Sequence, residues 1–535
     1  MIETLSRVDK LSWQLRIDPV ALEAEYASYR QAAGYIDKKV SLWGSRAFLQ
    51  RYPDLESWRL APLAEQLALP RSHKYFVNYL FLKHYLRPTL PYLFTARPQL
   101  ALAGKRHLYT DMYTRFCALG RQLGYADSMV RSALNFLFYV TAYIGKPTTT
   151  LTAADLLAFD EEMRTYRPPE GYTFSLKTAS GHLYRVRNLL FHAGILPEKV
   201  TRYIPNPART REVFWADIPE SLRQVVWRYL DQLNTVRAVD TVRNNEGYLR
   251  RFFKWLARTE PQVEQLSDMT RPQIEAFKCW LQETPCATGQ PYSTSSIRST
   301  LSALRCFLQT IQEWEWPEAP EQLLVYANDL PILDQPLPRF LDDEQAAALL
   351  RAARQSEDLF TRVCVETLLR TGLRKGEFVR LQLDSVVQIG DDFWLRVPLG
   401  KLHNDRYIPL HPDVKRLLDE WIAYRGHQVR SEYLFVRHGR RVSLGAIDHV
   451  VKCTAQTAGL TITVSPHRLR HTLATQAINR GMSLEAIAAL LGHRSLTMTL
   501  VYARIADKTV RQQYLSVCDE LDALYTKAVW GDDPQ

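Results

Sequence analysis

The stretch SPHRLRHTLATQAINRGMSLEAIAALLGHRSLTMTLVYA, residues 465–503, decides the fold of the C-terminal part of the chain. Ser465 precedes a proline, and this pair is typical of a helix N-terminus, because the hydroxyl caps free amides and proline fits the first turn. Gly481 and Gly492 are typical of helix ends. The stretch therefore predicts three short helices in succession, and Tyr502 lies in the third.

Histidines and arginines cluster on the first of these helices and just after the second. His467 and Arg470 are three residues apart, so both project from one face near the positive end of the helix. Arg468 lies between them and adds a further cation. His493 directly follows the second helix, and Tyr502 lies nine residues beyond it (502 − 493). Each residue type alone is common on solvated helices, so the informative feature is the ordered set.

The segment before this stretch predicts two more helices and a turn into a third. LFTRVCVETLLRTG ends at Gly372, which is typical of a helix C-terminus. Arg374 then opens the next helix, and Glu377 lies one turn further along it. Upstream, FLDDEQAAALLRAAR begins with Asp342 as the expected cap.

Two alternating segments, FWLRVPLG and DRYIPL, are separated by KLHN. Alternation of apolar and polar residues predicts a β-hairpin, with Lys401 at its turn. The C-terminal part is therefore expected to be mainly α-helical with a small antiparallel sheet.

Proline-rich joints divide the rest of the chain. One is IPNPAR at 204–209, and another is WPEAPEQLLVYANDLPILDQPLPR at 316–339. The predicted regions are a helical N-terminal region at 1–100, a helical module at 101–210, a second helical module at 215–330, and a C-terminal domain with a tail at 337–535.

The two helical modules resemble each other. LTAADLLAF ends at Phe159 and MTRPQIEAF ends at Phe277, an offset of 118 (277 − 159). Arg187 and Arg305 repeat this offset (305 − 187). We interpret the modules as tandem copies of one type; the alternative is that amphipathic helices with similar starts look alike.

The formal charge is +11, from 68 basic and 57 acidic residues. This surplus suits a polyanionic partner such as nucleic acid, and the alternative is simple colloidal solubility. Basic and aromatic residues on both modules are candidates for contacts with phosphates, although a solvated helix face is the alternative for each. They are Tyr184, Arg185 and Arg187 in the first module, and Arg243, Arg250, Arg251 and Arg298 in the second.

Cysteine usage and hydropathy exclude several classes of protein. The seven cysteines include no CxxC pair and no zinc-type spacing, which indicates reduced thiols in a cytoplasmic protein. The first residues are charged at short intervals, so no secretory signal is expected. The longest apolar stretch, 133–144, is too short to span a bilayer.

Five motifs in order resemble the tyrosine recombinase/integrase family, which includes phage integrases and Xer recombinases. They are TGLRKGE (371–377), GK…R…PL (400–410), HRLRH (467–471), LGH (491–493) and the following Tyr502. The resemblance covers about 340–510 strongly and the module at 215–330 more loosely. Two departures are LHND at the hairpin turn and Arg468 in place of a small residue.

The resemblance implies a site-specific DNA recombinase or integrase with a helical, SAM-like core-binding module in front of the catalytic domain. It implies cleavage and rejoining of double-stranded DNA through a 3′-phosphotyrosyl intermediate, with neither a metal nor ATP as cofactor. It also implies a homo-tetramer on paired DNA sites, or one that includes related recombinases, at the bacterial nucleoid. The additional N-terminal modules favour a mobile element, through transposition or integration.

The resemblance also implies a role for each matched residue, and chemistry explains the residue types. Guanidinium groups stabilise charge on the phosphate oxygens, and a phenol needs a base to remove its proton. The implied roles are Tyr502 as nucleophile, Arg374 and Arg470 as phosphate donors, His467 as base, Lys401 as general acid, His493 as a hydrogen-bond donor to phosphate, and Glu377 as a residue that orients Arg374 or a neighbouring histidine. Arg468 departs from the family pattern, and its charge is expected to add a phosphate contact.

Two alternatives remain open at this point. One is a DNA-relaxing enzyme similar to type IB topoisomerases, which uses the same chemistry without exchanging partners. The other is a catalytically silent DNA-binding protein with the same fold. The amphipathic tail after Tyr502 is expected to dock on a neighbouring protomer, and the alternative is packing on its own domain.

Overall fold

A computed structural model describes most of the chain. The described residues are 18–34, 38–199, 210–286, 289–334, 338–398, 406–493, 495, 497–503 and 517–520. The chain forms two compact units, one from residues 1–201 together with 337–535 and the other from 202–336. The first unit therefore combines the N-terminal region with the C-terminal domain.

The described part is mainly helical with a small antiparallel sheet in the C-terminal domain, which confirms the predicted fold class. None of the described helices combines the length and the apolar character that crossing a bilayer requires.

The described residues 18–199, which we call the N-terminal body, fold around one aromatic-rich core. Its helices are α1 (Pro19–Ala32), α2 (Lys38–Arg51), α3 (Leu55–Leu60), α4 (Leu63–Leu67), α5 (Arg71–Leu82), α6 (Leu90–Ala96), α7 (Leu100–Lys105), α8 (Thr110–Gln122), α9 (Asp127–Ile144), α10 (Ala153–Thr165) and α11 (Leu176–His192). The predicted boundary at residue 100 lies inside this core. Leu22 and Phe76 share the core with Leu137 and Leu189.

The second unit, residues 202–336, includes the segment 215–330 for which a helical module is predicted. Its helices are α12 (Arg211–Phe214), α13 (Glu220–Val236), α14 (Val239–Thr259), α15 (Arg271–Glu283) and α16 (Thr294–Glu313). Leu222, Phe252, Phe277 and Phe307 are buried in its core. The apolar faces of all four long helices meet there, so each helix is stabilised by its neighbours.

The segment α8–α11 and the segment α13–α16 have the same order of elements. In each, two long helices precede a short 3₁₀ helix, at Thr148–Thr150 and Leu266–Asp268, and two further helices follow. The starts of the last three elements differ by 118 in every case (266 − 148, 271 − 153 and 294 − 176). Both third helices begin with a threonine capping box, at Thr152 and Thr270, because the side chains satisfy free amides there. The structure thus adds a shared element order to the sequence echo.

The C-terminal domain surrounds its own apolar core with helices and a three-stranded sheet. Its elements are α17 (Asp343–Arg354), α18 (Leu359–Thr371), α19 (Lys375–Phe378), β1 (Val386–Ile389), β2 (Asp392–Val397), β3 (Arg406–Pro409), α20 (Pro412–Arg425), β4 (Val436–Arg437), β5 (Arg440–Arg441), α21 (Leu444–Thr457), α22 (Pro466–Ile478), α23 (Leu484–Leu491) and α24 (Thr497–Ala503). The predicted hairpin is present, because β2 pairs antiparallel with β3 and Leu395 lies opposite Ile408. Both residues are buried in the core.

Candidate active site

The ends of two helices meet at Arg470, which lies on α22. Helix α18 ends at Gly372 and α23 at Gly492, both in the left-handed conformation that the sequence predicted for helix ends. Arg470 is 2% exposed. Its Nη1 donates to the carbonyl of Gly372 and its Nη2 to the carbonyl of Leu491, each at 2.7 Å. One guanidinium therefore joins two helix C-termini, where free carbonyls and the helix dipole favour a cation.

Arg374 caps α19 and is held by Glu377. The Arg374 backbone amide and Nη1 donate to the Glu377 carboxylate at 2.9 and 2.8 Å. Arg406 of β3 makes a bidentate pair with the same carboxylate at 3.1 and 2.9 Å. Burial acts to raise the pKa of Glu377, but the hydrogen bonds and charge of Arg406, together with those of Arg374, lower it to about 2. Glu377 is therefore ionised and orients two arginines.

Tyr502 lies on α24, as predicted, and its phenol is enclosed. It is 3% exposed and packs with Ile478, Ile487 and Leu491. Its hydroxyl is 2.9 Å from Nδ1 of His471. Burial raises the pKa of Tyr502, while the nearby charges of Arg470 and Arg374 act in the opposite direction. The phenol is therefore protonated at neutral pH and lies within the influence of both arginines.

The histidine in contact with Tyr502 is thus His471, and not His467, for which the sequence predicted the role of base. His467 lies one turn earlier on α22 and packs edge-on against His471, with ring centroids 4.2 Å apart. Burial, then the charges of His467 and Arg470, lower the pKa of His471 to about 4. Burial and the same arginine, with Arg374, also lower the pKa of His467. A neutral His471 is able to accept a hydrogen bond from the phenol at neutral pH.

His493 lies beside the tyrosine ring at the end of α23. Its ring is nearly parallel to that of Tyr502, at 7° and 6.2 Å between centroids. Its Nδ1 is 2.8 Å from the hydroxyl of Thr499. Burial, then the charge of Arg470, lower the pKa of His493 to about 4. Thr499 thereby fixes the orientation of a neutral imidazole next to the phenol.

Two further residues of the predicted site are Lys401 and Arg468. Lys401 lies outside the described residues, as does the tail after Ala503 except for 517–520. Arg468 lies on α22, where burial and the charge of Arg339 lower its pKa. The structure brings Arg374, Glu377, Arg470, His493 and Tyr502 together around α22.

Sequence reasoning missed two residues of this site. Arg406 stands in the quoted GK…R…PL motif, and its signal was an arginine placed directly after the hairpin turn. His471 stands in the HRLRH motif, four residues after His467 and therefore on the same helix face. Both were visible in the sequence, but their partners, Glu377 and Tyr502, are distant along the chain.

Most of the candidate DNA-binding arginines have partners inside the helical module. Arg250 donates to the carbonyl of Phe214 at 2.6 Å and to Asp217 at 3.1 Å. Arg251 donates to the Thr300 hydroxyl at 2.6 Å. Arg298 donates to the Pro331 carbonyl at 2.7 Å, and Arg243 is exposed and paired with Asp240 within one helical turn.

Arg187 is a correction to the sequence analysis, which took it as an exposed residue of the first module. It is 8% exposed, and its guanidinium bonds the Asp160 carboxylate and the Leu156 carbonyl, each at 3.2 Å. A buried arginine paired in this way ties α11 to α10 and does not face solvent.

The part of the chain that the structure describes contains no group of three or more histidine, cysteine or acidic side chains arranged to hold a metal ion. The site described above is instead composed of cationic, imidazole and phenol groups. Such donors suit an anion, and a phosphate group above all.

Comparison with known proteins agrees with the motifs. Residues 339–509 match the family model described as Phage integrase family, and residues 226–313 match Phage integrase, N-terminal SAM-like domain. Tyrosine recombinase XerD of Staphylococcus aureus (strain Mu50) is 31% identical over 233 residues, which are 42% of this chain and 77% of that protein. The chain belongs to the tyrosine recombinase family. The conclusion covers the SAM-like module and the C-terminal domain.

Other similar proteins include Transposase B from transposon Tn554 of Staphylococcus aureus (strain Mu50). It is 27% identical over 319 residues, which are 56% of this chain and 48% of that protein. This tyrosine recombinase therefore matches about half the length of that relative. Among solved structures, XerH site-specific recombinase bound to palindromic difH substrate has a TM-score of 0.46 at 15% identity, with 72% of this chain and 96% of that chain covered.

Proposed function

We propose that this tyrosine recombinase cleaves and rejoins double-stranded DNA at specific sites, with Tyr502 as the nucleophile. The observation that carries the proposal is the convergence of Arg374 and Arg470 on Tyr502, since the charges of both arginines act on its phenol. Paired guanidinium groups are the donors that a phosphodiester needs when negative charge builds on its oxygens.

In the cleavage step, Oη of Tyr502 forms a bond to phosphorus and the bond from phosphorus to the 5′ oxygen breaks. The phenolic proton passes to a histidine of α22, and His471 is the one in contact with the hydroxyl. Lys401 supplies a proton to the 5′ oxygen, as the motif implies. The 3′-phosphotyrosyl bond retains the energy of the phosphodiester, so rejoining is the reverse of cleavage and no high-energy cofactor is consumed.

The remaining residues position these groups. Glu377 holds Arg374 and Arg406 through charged hydrogen bonds. His493, kept in place by Thr499, donates a hydrogen bond to a phosphate oxygen from its other ring nitrogen. The positions of Glu377 and His493 support these roles, because each lies next to a group that would contact the phosphate or the phenol.

The SAM-like module supplies a second DNA contact in this proposal. Helix α14 carries Arg250, Arg251, Lys254 and Arg258 along one concave surface together with the rings of Trp280 and Tyr292. Asp217 pairs with two of these cations, which leaves a basic surplus. Basic and aromatic side chains on one face are typical of surfaces that bind the phosphate backbone.

We further propose that the protein acts as a homo-tetramer on two paired DNA sites and serves a mobile element, by transposition or integration. Two similar proteins support this: Transposase B belongs to transposon Tn554, and one solved structure with a similar fold is a lambda integrase tetramer bound to a Holliday junction.

The test is covalent trapping on nicked duplexes taken from the DNA on both sides of the coding sequence. We expect a protein–DNA adduct with the wild-type chain and none with Tyr502→Phe. Tyr407→Phe, which changes an exposed tyrosine on β3, is the matched control and should form the adduct normally. An adduct that persists in Tyr502→Phe would refute the assignment. Joining of two marked sites, as opposed to relaxation of a supercoiled plasmid alone, separates a recombinase from a relaxing enzyme.

A further inference from the structure

The N-terminal body contacts the C-terminal domain at the turn between β4 and β5. The ring of Tyr125 stacks on His438 at 4.9 Å and 6°, and its hydroxyl donates to the His438 carbonyl at 3.0 Å. Asn188 of α11 donates to the Tyr125 hydroxyl at 3.1 Å. His438 has a φ of 53°, in the left-handed region, so this contact holds a tightly turned backbone. The turn and the end of α11 therefore form one continuous surface.

Basic side chains from both parts gather around this turn. Lys199 donates from Nζ to the carbonyl of Gly439 at 2.5 Å. The Arg440 guanidinium lies 4.3 Å from the centre of the Tyr184 ring and donates to its hydroxyl. Arg185, one residue further along α11, acts with its charge on His438. We call Arg185, Lys199 and Arg440 the junction cations.

Among the described residues, none of the three junction cations forms an ion pair with a carboxylate. Burial and the charge of Arg440 lower the pKa of Lys199, and burial followed by the charges of Arg437 and Arg185 lowers the pKa of His438. Arg437 lies directly opposite Arg440 on the paired strand, and its own guanidinium is 4.0 Å from the Asp358 carboxylate. Like charges opposite each other destabilise a strand pair, so an anion bound at Arg440 would relieve the repulsion that remains.

The basic surface that α14 of the SAM-like module contributes to the proposed DNA contact has no basic counterpart on α9 of the N-terminal body. The buried pairs Leu134/Leu249 and Phe138/Phe253 give an offset of 115 between α9 and α14 (249 − 134 and 253 − 138). Arg250, Arg251 and Lys254 then correspond to the uncharged residues Asn135, Phe136 and Tyr139.

The chain itself covers part of this equivalent face. Asn135 donates to the Pro98 carbonyl at 3.2 Å and accepts from the Ala101 amide at 3.0 Å, and Tyr139 also donates to Pro98. On the equivalent face, the N-terminal body has contacts with its own chain where the SAM-like module has cations. A DNA contact of the N-terminal body must therefore use another surface.

We propose that the junction cations bind the phosphate backbone of duplex DNA that flanks the cleaved site. The proposal rests on the proposed function, because it assigns an additional contact to the same DNA. Arginine and lysine from two domains around one rigid turn neutralise phosphates without reading the bases. The surface lengthens the DNA segment that the recombinase covers and ties the N-terminal body to DNA binding.

The experiment measures the affinity of the full-length chain for a 60-base-pair duplex of mixed sequence, chosen only as a probe, across a range of salt concentrations. In the variant Arg185→Gln/Lys199→Gln/Arg440→Gln we expect the slope of log affinity against log salt to fall by about 2.7, at roughly 0.9 for each phosphate contact. The matched control is Arg46→Gln/Arg51→Gln/Arg59→Gln, which removes the same charge from arginines already paired with glutamates. Its slope should change by less than about 1.

An unchanged slope in the junction variant would overturn the proposal and would point to another polyanion, such as an acidic protein. If that variant unfolds, a photo-crosslinking residue at Tyr184 of the otherwise unchanged chain decides: crosslinks to the duplex support the proposal, and their absence refutes it. The failure of the proposed function would look different. In that case the wild-type chain would form no adduct through Tyr502, whatever the salt slope of the junction variant.

Discussion

At the scale of single residues, the site combines a protonated phenol with neutral imidazoles and fixed guanidinium groups. Burial keeps the proton on Tyr502, and the same burial lowers the pKa of His471 and His493 to about 4. Neutral histidines at pH 7 are able to accept a proton, whereas charged ones are not. The low polarity around α22 therefore keeps an unprotonated histidine next to a protonated phenol.

The contact between His471 and Tyr502 predicts which histidine accepts the phenolic proton. We expect His471→Ala to slow formation of the covalent adduct by about 100-fold or more, the usual effect of losing a general base. His467→Ala should slow adduct formation less, because the His467 ring packs against His471, and it is His471 that contacts the phenol. Single-turnover trapping with both variants measures the two rates. The reverse order would restore the role that the sequence predicted for His467.

Glu377 predicts how the stability of the protein depends on acid. Its folded pKa of about 2 lies below an ordinary value near 4.5, so its stabilisation is complete above pH 4.5 and is lost as the pH falls through 2. The shift corresponds to about 3 kcal/mol. Urea unfolding of wild type and Glu377→Gln between pH 7 and 3 checks this: the variant should be less stable at pH 7, and the difference should shrink in acid. A constant difference would contradict it.

At the scale of elements, the site is made from helix ends. Helices α18 and α23 end at Gly372 and Gly492, and Arg470 of α22 bonds a terminal carbonyl of each. A lysine in place of Arg470 has no planar fork and therefore cannot bridge two carbonyls in the same way. The position of Arg470 is thus set by where two other helices end.

Gly372 is the residue at which this helix packing is most sensitive. It has a φ of +63°, and a β-carbon there would lie 2.7 Å from Cδ2 of Leu491. We expect Gly372→Ala to destabilise the protein by about 2–4 kcal/mol, from backbone strain plus overpacking. Gly459→Ala is the matched control, with a φ of +72° and open space around it, so only the backbone cost of about 1–2 kcal/mol applies. Equal losses in urea unfolding would show that the contact with Leu491 does not matter.

At the scale of the whole molecule, the N-terminal body and the C-terminal domain form one compact unit. Val429 and Val436 of the C-terminal domain are buried in the core of the N-terminal body. Arg430 adds hydrogen bonds from Nη1 to the carbonyls of Phe191 and Leu196, each at 3.1 Å. The N-terminal body is therefore a fixed part of the catalytic unit.

A substitution of Asn188 tests whether the N-terminal body supports the C-terminal domain. Asn188 is buried and donates to the hydroxyl of Tyr125, which in turn contacts the turn between β4 and β5. We expect Asn188→Ala to cost about 1–3 kcal/mol and to raise amide hydrogen exchange in 436–441, because the turn loses its support. Asn135→Ala, which removes an asparagine inside the N-terminal body, should leave exchange at 436–441 unchanged. Protection of 436–441 that survives Asn188→Ala would contradict the prediction.

The family, the mainly helical fold and the order of the elements around the site were all predictable from the sequence. Local chemistry is sufficient for these: glycines end α18 and α23, Ser465 caps α22, and alternation marks β2 and β3. The position of Tyr502 nine residues after His493 is also a local property. Each of these features depends on residues close together in the chain, so it can be predicted from the sequence alone.

Which side chains meet depends on the tertiary fold. Arg406 reaches Glu377 across 29 residues, His471 reaches Tyr502 across 31, and Tyr125 reaches His438 across 313. In the sequence, Arg187 resembles a solvent-facing arginine. In the structure, the packing of α10 against α11 buries it beside Asp160. Such contacts depend on how apolar faces close over one another, and no spacing along the chain records that.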